Sequence, residues 1–300
     1  MRDLVLYCKS YKRDFLRLKR LALSVEKFNV ERIPFYVSTP DADKALFDEV
    51  LGDEATFIWV SDESIVRANP NADFILYQSM LGGLSQQIVK SEFWRLGISE
   101  NYVCLDSDSV FIRDFRCSDF IGNNGEPYTV IHQNKDFFQM ASNRRQLKVE
   151  KDLRAESVKV MDFFSRQGPV YYCAPSPFIW SSKVWRSLDE NLLIPAGITI
   201  WEFIKKDMPE SLVYGETLLK YRAIRLLPIE PIFRVYHYDW QYYLLRRIGE
   251  TQARLIDGYL GVIYQSTWQS EMHLGGDAKP FFSRALKKIK RIYRYMQSFT

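Results

Sequence analysis

Residues 101–111 read "NYVCLDSDSVF": an apolar run, then two aspartates separated by one serine, then a second apolar run. An apolar run of this length predicts a buried strand that ends at Asp106. Successive side chains of a strand point to opposite faces, so Asp106 and Asp108 can face one site only if the chain turns there. The small Ser107 permits that turn. The stretch therefore predicts a polar site at the end of a buried strand.

The chain before this stretch alternates β-like runs with helical stretches. The runs are "DLVLYC", "IPFYVS", "ATFIWVS" and "NYVCLD", and the helical stretches cover 11–28, 41–51 and 84–97. This order predicts an α/β fold, Rossmann-like, with a mostly parallel central sheet flanked by helices. Such sheets bind ligands at the carboxyl ends of their strands, where this sequence carries polar residues such as Lys9.

The second half is less regular. Its pattern predicts a strand near 128–132, a charged helical stretch at 143–166 and a strand-like run at 169–175, then helices at 201–206 and 215–222. Short strands are predicted at 223–229 and 233–238. No repeat or linker separates the halves, so we expect one domain.

Composition limits the function classes. Of 300 residues, 47% are hydrophobic, which is enough for a large core. The 41 Lys and Arg against 37 Asp and Glu give a net charge of only +4, so no nucleic-acid partner is expected. Four scattered cysteines without a CxxC pair indicate free thiols in a reducing compartment. No run approaches the roughly 20 apolar residues of a membrane span, and the N-terminus lacks a signal-peptide pattern.

Three uses of the aspartate pair compete. In a phosphohydrolase, the first acid of a DxDxV strand end would be a nucleophile, but that strand usually opens its fold, and here it follows a third of the chain. Calcium loops need more alternating acids and a glycine. In the third use, the two carboxylates hold Mn²⁺ or Mg²⁺ that carries phosphates, because hard cations prefer oxygen ligands.

The passage "RLGISENYVCLDSDSVFIRDF" resembles the helix, strand, DxD, strand segment of glycosyltransferases with the nucleotide-diphospho-sugar fold, called GT-A. The preceding "GGLSQQIVKSEFW" is similar to the donor-facing helix of bacterial members, where a Gln-Gln-x-x-Lys pattern ends at Lys90. The resemblance implies that Asp106 and Asp108 hold the metal against the donor diphosphate. Lys90 and Lys9 are expected to contact the same donor.

A second stretch, "HLGGDAKP", has the spacing H-x-x-G-x-x-K-P and resembles the closing motif of glycosyltransferase family 8. The resemblance implies that His273 completes the metal site and that Gly276 and Lys279 contact the diphosphate. The family pattern continues with Trp, whereas Phe281 follows here. A rival third ligand is His237, in "FRVYHYDW".

The implied reaction moves a sugar from a nucleotide-sugar donor, UDP-linked by expectation, with retention favoured over inversion. An inverting enzyme needs a base, for which Glu216, expected to start a helix after Gly215, is the candidate. His132 is expected to line the acceptor side or to be structural. Four aromatic residues are candidates for stacking on sugars, although a core position is more usual: Trp201, Tyr236, Tyr238 and Trp240.

The division expected is a transferase domain at 1–280, with a nucleotide-sugar-binding half (1–115) and an acceptor-binding half (116–280), followed by a tail at 281–300. The tail places apolar residues at helical spacing among basic ones, which is typical of an amphipathic helix on an anionic membrane. We therefore expect a cytoplasmic protein at the inner face of the membrane, with a lipid-linked or oligosaccharide acceptor in bacterial surface polysaccharide or lipooligosaccharide synthesis. A non-catalytic saccharide-binding protein remains an alternative.

Overall fold

The computed structural model describes residues 2–80, 82–173 and 176–265, and five helical positions in the tail: Leu286, Ile289, Ile292, Tyr293 and Met296. The strands in these residues are β1 (Arg2–Lys9), β2 (Phe35–Thr39), β3 (Ile58–Ser61), β4 (Ser99–Leu105), β5 (Ser109–Phe111), β6 (Thr129–Val130), β7 (Phe178–Ser181), β8 (Pro228–Ile229), β9 (Phe233–Tyr236) and β10 (Gly261–Tyr264).

Most connections between strands are helical. The α-helices are α1 (Phe15–Phe28), α2 (Lys44–Leu51), α3 (Asp62–Arg67), α4 (Phe74–Ser79), α5 (Gly82–Glu92), α6 (Lys135–Asn143), α7 (Leu147–Phe163), α8 (Ser182–Leu188), α9 (Ile194–Ala196), α10 (Ile200–Lys205), α11 (Glu210–Tyr221), α12 (Asp239–Arg247) and α13 (Gln252–Leu255). A π-helical segment, Asp189–Leu193, joins α8 to α9.

The central sheet has the order β3-β2-β1-β4-β7. Its first four strands are parallel, and β7 pairs antiparallel with β4. The predicted mostly parallel sheet is confirmed. Because β7 comes from the second half of the chain, both halves contribute to one sheet.

The central strands are covered on both faces by helices, as parallel strands usually are. On β1, Val5 and Tyr7 face one core cluster and Leu6 and Cys8 face the other, so alternate side chains enter opposite cores. Helix α5 packs with the first cluster, and α1 and α2 pack with the second. Cys8 and Cys104 are buried in this sheet, and all four cysteines are free thiols, as the sequence predicts.

A second sheet has the order β5-β10-β9. Strand β10 runs antiparallel to β5 and parallel to β9, so the first residue of β5 lies beside the carboxyl ends of β9 and β10. The Tyr264 N–H donates to the Asp108 carbonyl oxygen at 3.4 Å. This sheet therefore extends the polar edge that follows β4.

Several expectations for the second half are wrong in extent. The stretch 143–166 contains the end of α6 and the separate helix α7. Within 169–173, Tyr172 forms only an isolated bridge to His132, and 174–175 lie outside the described residues. The run 223–229 forms a strand only at β8. These segments lack the long periodic patterns that make sequence assignments reliable.

Within the described residues, no helix has the length and apolar character needed to cross a membrane. The five described tail positions are all substantially exposed, from Ile292 at 49% to Ile289 at 65%. Their spacing places them on one side of a helix. The remaining tail residues, 281–285 among them, lie outside the described part of the chain.

Candidate functional site at the carboxyl edge of the sheet

The two aspartates lie on a turn that follows β4. The Ser109 N–H donates to the Asp106 carbonyl oxygen at 3.0 Å, which closes the turn. Ser107 is buried, and its hydroxyl donates to the Ser10 hydroxyl at 3.1 Å, tying the turn to the end of β1. The side chain of Asp106 is 36% exposed, whereas Asp108 is buried. The predicted turn is confirmed.

Lys90 on α5 forms a close ion pair with the first aspartate. Its ammonium donates to Asp106 Oδ1 at 2.5 Å, although only 5% of the lysine is exposed. Burial lowers the pKa of Lys90, but the negative charge of Asp106, with smaller contributions from Cys104 and Glu210, outweighs burial and raises it overall. Lys90 therefore stays charged, and the expected proximity of this lysine to the acid pair is present.

Glu210, at the start of α11, is a buried acid near the same lysine. Burial raises its pKa, and the positive charge of Lys90 opposes that rise. Lys90 thus pairs with Asp106 and also acts electrostatically on Glu210, an acid from a separate part of the chain. Any ligand that draws Lys90 away from Asp106 has to compete with this arrangement.

Lys9 lies at the same edge, at the end of β1, where the carboxylate of Asp62 compensates its charge. Its Nζ is 2.9 Å from Asp62 Oδ2, with 7% of the lysine side chain and none of the aspartate side chain exposed. Burial raises the pKa of Asp62, while Lys9 lowers it. The same ammonium donates to the Ser10 carbonyl oxygen at 2.7 Å. Lys9 is therefore held by Asp62 and Ser10 in this structure, and its contact with the donor stays a prediction.

Two arginines on α1 approach the edge from the opposite helical layer. Arg17 is buried and pairs with Asp14. Burial lowers the pKa of Arg20, and the neighbouring Tyr264 hydroxyl and Asp108 carboxyl oppose that change. The acid pair is therefore flanked by Lys90 from one helical layer and by Arg20 from the other.

The edge offers a partial donor set for a divalent cation. In the part of the chain that the structure describes, no three His, Cys, Asp or Glu side chains come together as a metal site. Two carboxylates with phosphate oxygens nevertheless fit Mg²⁺ or Mn²⁺, since such cations usually take few protein ligands and complete their shells with phosphate and water. Asp106 and Asp108 supply those carboxylates.

The expected third ligand and phosphate contacts, His273, Gly276 and Lys279, lie outside the described residues. Strand β10 ends at Tyr264, whose N–H donates to Asp108, and His273 follows nine positions later (273 − 264). Nine residues can span at most about 30 Å. The chain length therefore permits His273 to reach the acid pair.

The rival histidine lies at the end of β9. His237 contacts the Phe137 ring at a centroid distance of 5.4 Å, and its pKa is lowered to about 4 by burial and then by the charge of His132. It is therefore a neutral imidazole at neutral pH. Strand β9 is two strands away from β5, about 10 Å from Asp108 at ordinary strand spacing.

The position expected for Glu216 is wrong. Helix α11 begins at Glu210, so Glu216 lies inside the helix and not at its start. A Cβ on Gly215 would lie 2.0 Å from Cys173 Sγ, so this glycine permits close packing. Glu216 is buried and accepts two bonds from Arg166, at 2.5 and 2.7 Å. A base role for Glu216 stays a prediction, but in this structure the carboxylate is fully engaged.

The four aromatic candidates separate into two pairs. Trp201 is buried and donates to Glu92 at 3.2 Å, and Tyr236 is buried with its hydroxyl donating to Glu250 at 2.6 Å, so both are core residues. Tyr238 and Trp240 stack on each other at 5.9 Å beside Phe137.

Comparison with known proteins gives a family but no activity. The profile of a family of unknown function, DUF6492, matches residues 3–269. The chain belongs to this family. No curated protein sequence matches it significantly.

Two solved structures are similar to this DUF6492 chain. Mouse xyloside xylosyltransferase 1 has 8% identity and a TM-score of 0.45, with 88% of this chain and 98% of that protein covered. The WbbM bifunctional glycosyltransferase has 9% identity and a TM-score of 0.48, with 88% of this chain and 46% of that protein covered.

In this DUF6492 chain, the sequence alone indicated the acid pair, Lys9 and Lys90 but not the remaining charges. Arg17 and Arg20 have the i,i+3 spacing that places two side chains on one helix face, in the helix that follows β1. That spacing is the signal that could have found them. Glu210 and Glu250 have no comparable local signal, because their partners are distant in sequence.

Proposed function

We propose that the chain is a glycosyltransferase that moves a sugar from a nucleoside-diphosphate donor, UDP-linked in the simplest case. The observation that carries the proposal is the acid pair on the turn after β4, at the carboxyl edge of a parallel sheet, flanked by cations from both helical layers. Parallel sheets bind ligands at this edge. Carboxylates with adjacent Lys and Arg side chains suit a metal-bound diphosphate.

In the proposed reaction, the bond between the anomeric carbon and the phosphate oxygen breaks, and its electron pair leaves with the nucleoside diphosphate. A bond forms between that carbon and an acceptor hydroxyl oxygen, whose proton passes to a leaving phosphate oxygen in the favoured retaining route. The engagement of Glu216 with Arg166 supports retention over inversion, because a general base must be able to accept a proton.

Asp106, Asp108 and His273 are proposed to hold Mn²⁺ or Mg²⁺, with Gly276 and Lys279 beside the diphosphate. When bound, the ion would neutralise charge on the leaving group. Lys90 donates to Asp106 at 2.5 Å, and we propose that its ammonium also contacts a phosphate oxygen of the donor. Arg20 is proposed to compensate Asp108 or the diphosphate from the side of α1.

The acceptor is proposed to be a lipid-linked saccharide in bacterial surface polysaccharide or lipooligosaccharide synthesis, at the inner face of the cytoplasmic membrane. The support is the tail. Its described apolar positions are exposed, and its sequence places basic residues between them, with no acid after Asp277. A helix of this composition binds anionic lipid surfaces.

Calorimetry with UDP, with and without Mn²⁺, tests the proposal. We expect metal-dependent binding that Asp106→Asn and Asp108→Asn each weaken more than about tenfold, since even the outer partners of metal ligands contribute that much. The control is Asp53→Asn, at an exposed aspartate after α2, which should bind like wild type.

Absence of metal-dependent UDP binding would overturn the proposal. Binding without transfer or hydrolysis of any donor would favour a non-catalytic saccharide-binding protein. Hydrolysis of phosphate monoesters that depends on Asp106 would favour the phosphohydrolase alternative.

A further inference from the structure

A polar cleft of about 560 Å³ lies between the edge of β9 and the start of α6. We refer to it as the β9 cleft. Its walls include Phe233 to Val235 of β9 and Asn134 to Phe137 around the start of α6. Its volume is in the range of small-molecule sites. Of the described residues assigned to the donor site, Lys9, Lys90, Asp106 and Asp108 do not line it.

The β9 cleft runs alongside the chain from Pro231 to His237. Six steps at about 3.3 Å each give a length of about 20 Å, which is enough for more than one sugar ring. Gln241 covers part of the β9 edge, because its amide accepts from the His237 N–H at 2.9 Å and donates to the Val235 carbonyl at 3.2 Å. The rest of the edge borders the cleft.

One end of the cleft lies near the acid pair. Asp108, Tyr264 and Tyr236 form a row across the second sheet: the Tyr264 N–H donates to Asp108, and Tyr264 pairs with Tyr236. Two strand spacings give about 10 Å between the ends of this row. His237 follows Tyr236 directly, so the His237 end of the cleft is one or two sugar units from the acid pair.

The lining near His237 is rich in uncharged hydrogen-bonding groups. His132 Nδ1 accepts from the Asn134 N–H at 3.2 Å, which makes Nε2 the N–H donor of the neutral ring. Gln133 and Asn134 add half-buried amides, and Phe137 and Tyr259 add apolar ring surface. Amides, neutral imidazoles and ring faces together suit the hydroxyls and C–H surface of a sugar.

Charge in the cleft disfavours an anionic ligand. The guanidinium of Arg234 is paired with Glu250 through bonds of 3.1 and 2.6 Å, so its charge is compensated. The other charged lining residues are one lysine, Lys135, and two acids, Asp136 and Glu230. A phosphate or an acidic sugar would therefore find no surplus of positive charge, whereas a neutral sugar needs none.

We infer that the β9 cleft binds a neutral saccharide, with the sugar nearest His237 directed toward the Asp106–Asp108 turn. The inference that the cleft binds a saccharide depends only on the shape and lining of the cleft. The assignment of the cleft as the acceptor site rests on the proposed function. The inference specifies that the group recognised there is an uncharged glycan end and not a phosphate or a uronic acid.

The test uses the full chain and saturation-transfer NMR with two probe sets. The neutral set is methyl glucosides, methyl galactosides and lactose, and the anionic set is glucuronic acid and N-acetylneuraminic acid. Gln133→Trp fills the cleft from a half-buried position, and Gln146→Trp is the matched control at an exposed glutamine outside the cleft. Calorimetry with UDP and Mn²⁺ is run on all three proteins.

We expect wild type and Gln146→Trp to bind at least one neutral probe, and Gln133→Trp to lose that binding by about tenfold or more, the scale of pocket discrimination. UDP binding should be the same in all three proteins. No neutral probe bound, equal binding by Gln133→Trp, or a preference for the anionic probes would overturn the inference. If wild type does not bind UDP, the proposed function is overturned, and the NMR result alone then tests saccharide binding.

Discussion

At the scale of single residues, Lys90 decides how the acid pair is compensated. Its buried ammonium holds Asp106 at 2.5 Å and also acts electrostatically on the buried Glu210. Two carboxylates one residue apart therefore do not demand a metal in order to coexist. The lysine already supplies a counter-charge, and Arg20 lies near Asp108.

This arrangement predicts that Lys90→Met strengthens the binding of Mn²⁺ and weakens the binding of UDP. Mn²⁺ should bind the ligand-free protein about tenfold more tightly, because a charge-assisted hydrogen bond of about 1.5 kcal/mol no longer competes for Asp106. UDP should bind more weakly in saturating Mn²⁺, because a phosphate contact is lost. Lys148→Met, at an 85% exposed lysine on α7, serves as the control. Unchanged or weaker Mn²⁺ binding in calorimetry would show that Lys90 does not compete for Asp106.

His237 predicts a pH dependence of stability. Its folded pKa of about 4 lies below the ordinary value of 6.5, so the unfolded chain takes up the proton first as pH falls. The neutral His237 therefore contributes to the free energy of unfolding above about pH 6.5, and this contribution is lost as pH falls toward 4. Between pH 7 and 5, wild type should lose about 2 kcal/mol that His237→Gln does not lose.

The measurement is urea unfolding of both proteins at the two pH values. The comparison between proteins matters, because buried acids with raised pKa values, such as Glu92, change stability in the opposite direction over part of this range. An equal loss in both proteins would mean that His237 titrates normally.

Sequence reasoning succeeded where chemistry is local. Asp106, Ser107 and Asp108 lie within three positions, so their turn could be predicted from the strand period and residue size. It could not find the effect of Lys90 on Glu210 or the Arg234–Glu250 ion pair, because tertiary packing brings these residues together. The sequence predicts a helix start at Gly215 that the structure lacks, because this glycine permits close packing on Cys173 inside α11 and marks no helix boundary.

At the scale of elements, helix α11 is anchored to the chain before β7 by the Arg166–Glu216 pair. Both side chains are mostly buried, at 16% and 7% exposure. Removing one partner leaves a buried charge, so Glu216→Gln should destabilise the fold by about 3 kcal/mol. Arg166→Met combined with Glu216→Leu should recover much of that loss, because an apolar pair leaves no charge unpaired.

Urea unfolding measures both variants, and UDP binding shows that each is folded. A catalytic base would behave differently: Glu216→Gln would keep its stability and lose transfer activity. Stability equal to wild type would therefore contradict the anchoring role and favour Glu216 as the base.

Most elements of the first half could be predicted from their apolar patterns, but the six-residue helices α3 and α4 are too short to give one. The four parallel strands appear as short, nearly continuous apolar runs, and α1, α2 and α5 fall between them. The strands β5 and β10 are short, and their pairing joins residues about 150 positions apart (Ile263 with Ser109), so no local pattern specifies it. This pairing extends the polar edge from the acid pair to His237.

At the scale of the whole molecule, the tail predicts association with anionic membranes. Five described positions expose apolar side chains, and the sequence surrounds them with Lys and Arg. Deleting residues 281–300 should reduce sedimentation with vesicles containing phosphatidylglycerol, and added salt should weaken the wild-type interaction. UDP binding should be retained, since the residues proposed to bind donor all precede the deletion.

A matched variant separates charge from apolar contact. Leu286→Ser with Ile289→Ser keeps every basic residue and should still lose most vesicle binding if the apolar face inserts. Equal sedimentation of wild type and the deletion protein would contradict membrane association through the tail. It would leave the proposed donor site unaffected.

The central claim is that the turn after β4 serves sugar transfer from a nucleotide donor. The most direct measurement is a mass-spectrometric screen of nucleotide sugars for release of nucleoside diphosphate in Mn²⁺, with wild type, Asp106→Asn and Asp53→Asn compared. The account predicts release from at least one donor by wild type and Asp53→Asn, and a loss of more than about a hundredfold in Asp106→Asn. Release that is unchanged in Asp106→Asn, or no release from any nucleotide sugar, would contradict it.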